Sequence, residues 1–209
     1  MNNNPNGLKR YYWENDSTRD EVEKLACIPT IKNLEFLCLL GSRIRNKFLA
    51  QIKPIPHLKG IRLSGTKITD SGLAHLRKFP LLDELHLIST CISNKGLRHI
   101  GRLRHLKALF IPCTDITLDG LIHLKNTRLE YLNAQGLAIG DPFMNSLIHL
   151  PHLKYLDLCT CEMGDKAIPN LLLLKNLEIL EVCGTRLTKR GINRIKKHLP
   201  ACKVVFKRD

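Results

Sequence analysis

The sequence predicts an α/β solenoid, with a parallel sheet on the concave face and short helices on the convex face. Three observations predict it. Anchoring leucines recur at Leu34, Leu58, Leu82, Leu106, Leu129, Leu153 and Leu177, with Cys202 in the eighth place; the spacing is 24 residues, with one interval of 23 and a last one of 25. Internal periodicity of this length marks stacked repeats. Within a unit the pattern is Leu-x-x-Leu-x-Leu-x-x-Thr-x-Ile, as in Leu82, Leu85, Leu87, Thr90 and Ile92, or Leu106, Leu109, Ile111, Thr114 and Ile116. Its alternating part is a strand with one buried face. The third observation is the stretch that follows, Thr/Ser-Asp-x-Gly-Leu-x-x-Leu, as in Thr69, Asp70, Gly72, Leu73 and Leu76. It predicts a capped short helix that buries two residues three apart.

Taken in order, residues 2–7 are Asn-rich and predict a loosely held start, and residues 8–13 a short aromatic strand. Asp16 to Thr18 offer N-caps to a helix over 19–28, whose Leu25 and Ile28 precede Leu34 as later helix residues precede their own anchors. Residues 1–33 are therefore expected to be a tail and capping segment. Residues 34–209 form the repeat domain, of about seven full repeats and a C-terminal capping strand. Pro80, Pro151 and Pro200 close helix-to-strand loops. A single unit exposes an apolar flank, so only stacking completes the core.

Seven recurrences of this unit resemble the leucine-rich repeat family over residues 34–209, most of all the ribonuclease-inhibitor-like branch with Thr-Asp-x-Gly-Leu helices, which includes cysteine-containing and GALA-type bacterial repeats. The resemblance implies a non-enzymatic protein-interaction scaffold that binds a protein partner on its concave face, in some members as a bacterial effector or adaptor. Some relatives carry an F-box; residues 1–33 are too short and too polar to supply one.

Thirty-three Lys and Arg against nineteen Asp and Glu give a formal charge of +14, which favours acidic partners: a protein face, nucleic acid or an anionic membrane. No apolar run approaches the roughly 18 residues of a membrane helix, and residues 1–10 lack the apolar core of a signal peptide. A monomer in the cytoplasm is expected, with leaderless export into a host cell left open. Most of the eight cysteines fall at repeat positions, which predicts reduced thiols rather than disulfides.

Stacked units bring equivalent positions about 4.8 Å apart, so each column must be compatible with itself. Ser42, Thr66, Thr90, Thr114, Cys161 and Thr185 share a column expected to bond loop amides left unpaired where the strand turns. Glu35, Lys59, Asp83, Lys107, Glu130, Lys154, Glu178 and Lys203 alternate in sign and predict a charge ladder. His75, His99 and His123 share a helix column, but packed helices lie about 8–10 Å apart and zinc ligands need about 2 Å. Cys159 and Cys183, stacked beside Asp157 and Glu181, leave open a metal or redox pair, the weakest functional reading. No Ser/His/Asp arrangement, phosphate-binding glycine loop or catalytic carboxylate pair stands out. No enzyme, cofactor or metal is expected.

The concave positions are those two, four and six residues after each anchor, expected to be exposed. They place Phe110, Tyr131 and Tyr155 on consecutive strands, Arg62 and His86 on one flank, and Asp157 and Glu181 on the other. Aromatics ringed by polar groups are typical hot spots; the same rings could instead pack on one another as part of the sheet surface. With Asn133 these eight residues are the candidate partner-binding set. Excess positive charge falls on Arg77, Lys78, Arg98, Arg102 and Arg104, and on a C-terminal group from Arg186 to Arg208. That second group serves either as a solvated cap or as a dock for nucleic acid or an anionic surface. Interleaved aromatics are almost absent there, Phe206 excepted. The unit at Leu129 departs from the pattern: Ala134 replaces a core leucine, Leu137 the ladder threonine, and Asp141-Pro142 the Thr-Asp pair. A local change of curvature is expected there, beside Tyr131 and Asn133.

Overall fold

A computed structural model of the chain describes residues 2–3, 9–13, 33–39, 44–138 and 146–207. Its strands are β1 (Asn2–Asn3), β2 (Lys9–Trp13), β3 (Leu34–Leu39), β4 (Gly60–Arg62), β5 (Glu84–His86), β6 (Ala108–Phe110), β7 (Tyr131–Asn133), β8 (Tyr155–Asp157), β9 (Ile179–Glu181) and β10 (Lys203–Val205). They lie side by side in sequence order in one sheet. β1 runs antiparallel to β2, and every later neighbour is parallel. The short strand expected over 8–13 is therefore present as β2, and it extends the sheet beyond the first full repeat.

Leu37, Ile61, Leu85, Leu109, Leu132, Leu156 and Leu180 pair in one file across β3 to β9, and all are fully buried. The register passes unbroken through the 23-residue interval. The missing residue lies between Leu121 and Leu129, eight apart where Leu97 and Leu106 are nine apart. A one-residue slip within a strand would have turned its core side chains outward.

The convex side carries α1 (Asn46–Gln51), α2 (Asp70–Leu73), α3 (Asn94–Ile100), α4 (Ile168–Leu171) and α5 (Lys189–His198), with 3-10 turns at Ala74–Lys78, Leu118–Leu124 and Asp165–Ala167. Leu73 and Leu76 are buried three apart, as the pattern predicts. The acidic residue of the helix motif, however, acts mainly across units. An oxygen of Asn46, Asp70, Asn94 or Asp165 accepts from the backbone amide of Thr69, Ser93, Thr117 or Thr188 in the next unit, at 2.8–3.0 Å. The other side-chain atom meets that residue's hydroxyl at 2.6–2.8 Å. This bracket comes so close that a Cβ at Gly72, Gly96, Gly120 or Gly191 would strike the bracketing oxygen. The glycine of the motif thus follows from the Asp or Asn of the preceding unit.

The threonine column also works differently from expectation. Thr66, Thr90, Thr114 and Thr185 donate their hydroxyls to the carbonyls three residues back, at 2.6–2.9 Å, rather than accepting from loop amides. Those carbonyls lie where the strand turns away from its neighbour, and a local donor satisfies them. The charge ladder is realised at Lys59–Glu35 (3.3 Å) and Lys154–Glu130 (2.8 Å). Ser42, the helix expected over 19–28, and Asp141-Pro142 lie outside the described residues. Among those described, no helix is long and apolar enough to cross a membrane.

Candidate functional site

Two files of side chains stand on the concave face of β3 to β9. One runs Phe36, Gly60, Glu84, Ala108, Tyr131, Tyr155, Ile179; the other runs Cys38, Arg62, His86, Phe110, Asn133, Asp157, Glu181. The aromatic rings make one line that crosses between the files. His86 stacks on Phe110 with centroids 4.0 Å apart and planes 4° from parallel. Phe110 meets Tyr131 across the diagonal at 4.8 Å, and Tyr131 stacks on Tyr155 at 4.0 Å and 3°. The small Ala108, paired beside Tyr131, leaves room for that diagonal step.

The line continues at both ends. The Tyr155 hydroxyl donates to Glu181 Oε1 at 2.8 Å. At the other end Phe36 meets His86 edge-on at 6.2 Å, and the Arg10 guanidinium lies 5.2 Å from the Phe36 ring centre. Gly60 permits this, because a Cβ there would strike the Phe36 ring. Phe36 and Arg10 were not among the sequence candidates. The glycine following Phe36 in its file is a readable signal; Arg10, on a strand outside the regular repeat, offers none.

The polar members have definite partners. His86 Nε2 lies 2.6 Å from Glu84 Oε1. That hydrogen bond holds the Glu84 carboxyl below its usual range against the opposing effect of burial. An ionised carboxylate only accepts, so Nε2 carries a proton. Burial pushes the Tyr131 and Tyr155 hydroxyls up. Asn133 Oδ1 accepts from Gln135 N at 3.1 Å, and Asp157 Oδ1 from Cys159 N at 2.9 Å, local bonds two residues on.

The expectation that this face is exposed needs correction. His86 is 5% and Asp157 6% exposed, and Cys38, Pro112 and Cys159 are also buried; Arg62, Phe110, Tyr131, Asn133, Tyr155 and Glu181 are half-buried. Strands about 4.8 Å apart set each concave side chain between two neighbours that cover its flanks. His86 is thus a member of the ring line rather than a free base beside it.

Cys159 and Cys183 form no disulfide. The amide of Cys183 donates to Cys159 Sγ at 3.2 Å, while its own sulfur faces Val205 O at 3.9 Å. Burial, together with a hydrogen bond to Asp157, pushes the Cys159 thiol up to about 12. The histidine column holds Arg98 Nε against His123 Nε2 at 3.5 Å, and no metal-ligating group forms from these histidines among the described residues.

Basic residues that looked available are partly occupied. Lys78 Nζ donates to Leu49 O and Ile52 O at 2.5 Å and to Ala50 O at 3.1 Å, closing the C-terminal end of α1; burial lowers its pKa. Arg186 pairs with Glu162 at 3.6 Å. α5 buries Gly191, Ile192 and Ile195 and exposes Lys189, Arg190, Arg194, Lys196 and Lys197, the polar outer face that an end cap needs.

In the departing unit Leu137 is buried in the threonine column and can donate no hydroxyl. Ala134 O, which accepts from Leu137 N at 3.4 Å, takes Cys161 Sγ of the next unit at 3.3 Å in place of the hydroxyl.

No protein-family model matches the chain, and no curated protein matches it in sequence. Its fold is similar to that of an internalin of Listeria monocytogenes, InlF, with a TM-score of 0.65 and 22% identity, covering 85% of this chain and 49% of that one. Internalin C2 of the same organism gives 0.65 and 23%, over 86% and 74%. The ectodomain of the Arabidopsis receptor kinase HAESA, solved with an extended IDA peptide hormone, gives 0.57 and 17%, over 87% and 31%. The chain thus spans about half the length of InlF. These likenesses establish the leucine-rich repeat solenoid as the fold and do not confirm the ribonuclease-inhibitor-like branch suggested by the helix motif.

Proposed function

We propose that the chain is a non-enzymatic interaction scaffold that docks a protein partner on its concave face, around Phe110, Tyr131, Asn133 and Tyr155. One observation carries this: an unbroken line of rings, each half-buried or held by a neighbour, on the face of a sheet whose core lies on the other side. Rings already fixed lose little freedom on binding, and aromatic clusters of this kind concentrate binding energy. Arg62 on one flank and Asp157 with Glu181 on the other would orient a partner along the solenoid. The HAESA ectodomain, solved with its peptide, supports the general mode. Among the described residues Cys91, Cys113, Cys159, Cys161, Cys183 and Cys202 form no disulfide, which fits a reducing compartment such as the cytoplasm of the source cell or of a host.

The test is affinity capture with the wild-type chain, with Asn133→Arg, and with Tyr131→Ala/Tyr155→Ala. Asn133→Arg places bulk and charge beside the rings and leaves the stack intact. The double variant also loses a stacked pair worth about 0.5–1.5 kcal/mol, so its melting must be followed. Capture should fall at least ~30-fold in both, the loss that a hot spot implies. Undiminished capture by Asn133→Arg and by the folded double variant would overturn the proposal.

A further inference from the structure

We infer that Asp157, Cys159 and Glu181 form a binding site for one divalent cation of the zinc class at the acidic end of the concave face. This is independent of the scaffold reading. Asp157 and Cys159 sit two apart on the same face of one chain segment, and Glu181 is the strand partner of Asp157 on β9. Two residues along a strand and one strand across form a small triangle. One ligand atom from each residue lies within 4.8 Å of the other two. Ligands about 2.0–2.3 Å from a tetrahedral ion are roughly 3.3–3.8 Å apart, so a small side-chain rotation closes the set.

Three further observations point to a cation. First, Asp157 is 6% and Cys159 8% exposed, and no cationic side chain pairs with Asp157 or Glu181 among the described residues. Asp157 is hydrogen-bonded to the Cys159 amide but has no positive side chain beside it, the partner that a buried carboxylate takes by preference, although this chain carries 33 Lys and Arg. Second, the scaffold requires none of the three: the places of Asp157 and Cys159 hold Arg62 and Ser64 in one unit and Phe110 and Pro112 in another. Third, the donors are already held from behind. Tyr155 O–H fixes Glu181 Oε1 at 2.8 Å, and the Cys183 amide points at Cys159 Sγ at 3.2 Å. Outer contacts of this kind orient ligands and stabilise a thiolate.

The mixed donor set selects the metal. A thiolate with two carboxylates suits zinc or cobalt, whereas magnesium and calcium take oxygen alone. On binding, the Cys159 S–H bond breaks, a metal–sulfur bond forms and the proton passes to solvent. Three protein ligands leave a fourth position open to water or another ligand.

Cobalt(II) titration of the reduced full chain, read by the thiolate-to-cobalt charge-transfer band, tests this, with zinc displacing the cobalt. One equivalent should bind. Cys159→Ser should abolish the band, and Glu181→Gln, at a half-exposed position that spares the core, should weaken binding at least about 100-fold. Tyr155→Phe should weaken it about 10-fold, as an outer contact does. Cys183→Ser keeps its amide and should retain the band. Absence of the band in the wild-type chain, its persistence in folded Cys159→Ser, or affinity unchanged in folded Glu181→Gln would overturn the proposal.

Discussion

The units beginning at Leu58 and Leu82 and the unit beginning at Leu129 build the same strand and bury the same central leucine position, yet their turns are held by different means. In the first two, an oxygen from the preceding helix brackets the next amide, and a threonine hydroxyl closes the strand-end carbonyl. In the third, Leu118 stands where the bracketing Asn or Asp would be, Leu137 replaces the threonine, and Cys161 of the following unit supplies the missing donor. Register survives nonetheless, from Leu109 to Leu132 to Leu156. The core file sets the register, and the polar ladders add to it. A unit can therefore drop two ladders and still hold its concave side chains, Tyr131 and Asn133, in line.

The sharpest way to break this comparison is by volume. Leu109→Ala in a regular unit should cost about 2–5 kcal/mol, since a packed core closes only partly over a lost side chain. The departing unit already carries Ala134, which is fully buried despite its size. Ala134→Leu adds bulk at a position with no exposed surface and should destabilise by about 1–3 kcal/mol through overpacking. Denaturant unfolding of both variants measures this; a more stable Ala134→Leu would show the unit to be merely underfilled.

A smaller effect is expected from the bracket. Asp70→Ala removes two bonds and strands the amide of Ser93, at a cost of about 1–3 kcal/mol. Hydrogen exchange should quicken first at Ser93. If the loss is instead spread evenly over the chain, the bracket does not bind one unit to the next.

How much of this was readable beforehand follows from what each column encodes. The anchors, the strand alternation and the buried pair Leu73 and Leu76 were legible because burial leaves a periodic apolar trace. The sign of the ladder from Glu35 to Lys203 was legible because charge is written in residue type. The bracket was not: an Asp before a short helix looks like an ordinary cap, and only the stack shows that its oxygen reaches the next unit and forces a glycine there. The ring line was half legible. Phe110, Tyr131 and Tyr155 could be placed on neighbouring strands, whereas the diagonal step past Ala108 and the extension through His86, Phe36 and Arg10 depend on side-chain directions that spacing does not carry. The sequence placed Cys159 and Cys183 together beside Asp157 and Glu181; the structure sets the Cys183 sulfur against Val205 O and gathers the Cys159 sulfur with both carboxylates.

The smallest effect separates two carboxylates by where they sit. Glu84, half-buried within the ring line, is held below its usual range chiefly by the His86 hydrogen bond, with Arg10 and Arg62 adding to it. Glu130, at the solvent edge of the departing unit, is lowered by Lys154. For both, the unfolded chain binds the proton first as pH falls, so each contributes stability above the ordinary glutamate value of 4.5 and loses it as pH drops through the folded value. Asp83 opposes this, because burial and then Glu84 raise its carboxyl; its protonation relieves repulsion over the same acid range. The Glu130 pair is exposed and screened by solvent, so its share should be close to nothing. Melting followed from neutral pH to about pH 3 should therefore show a shallower acid loss in Glu84→Gln than in the wild-type chain, and no change in Glu130→Gln. Equal slopes in all three chains would mean that the contact with His86 orders the ring line without stabilising it.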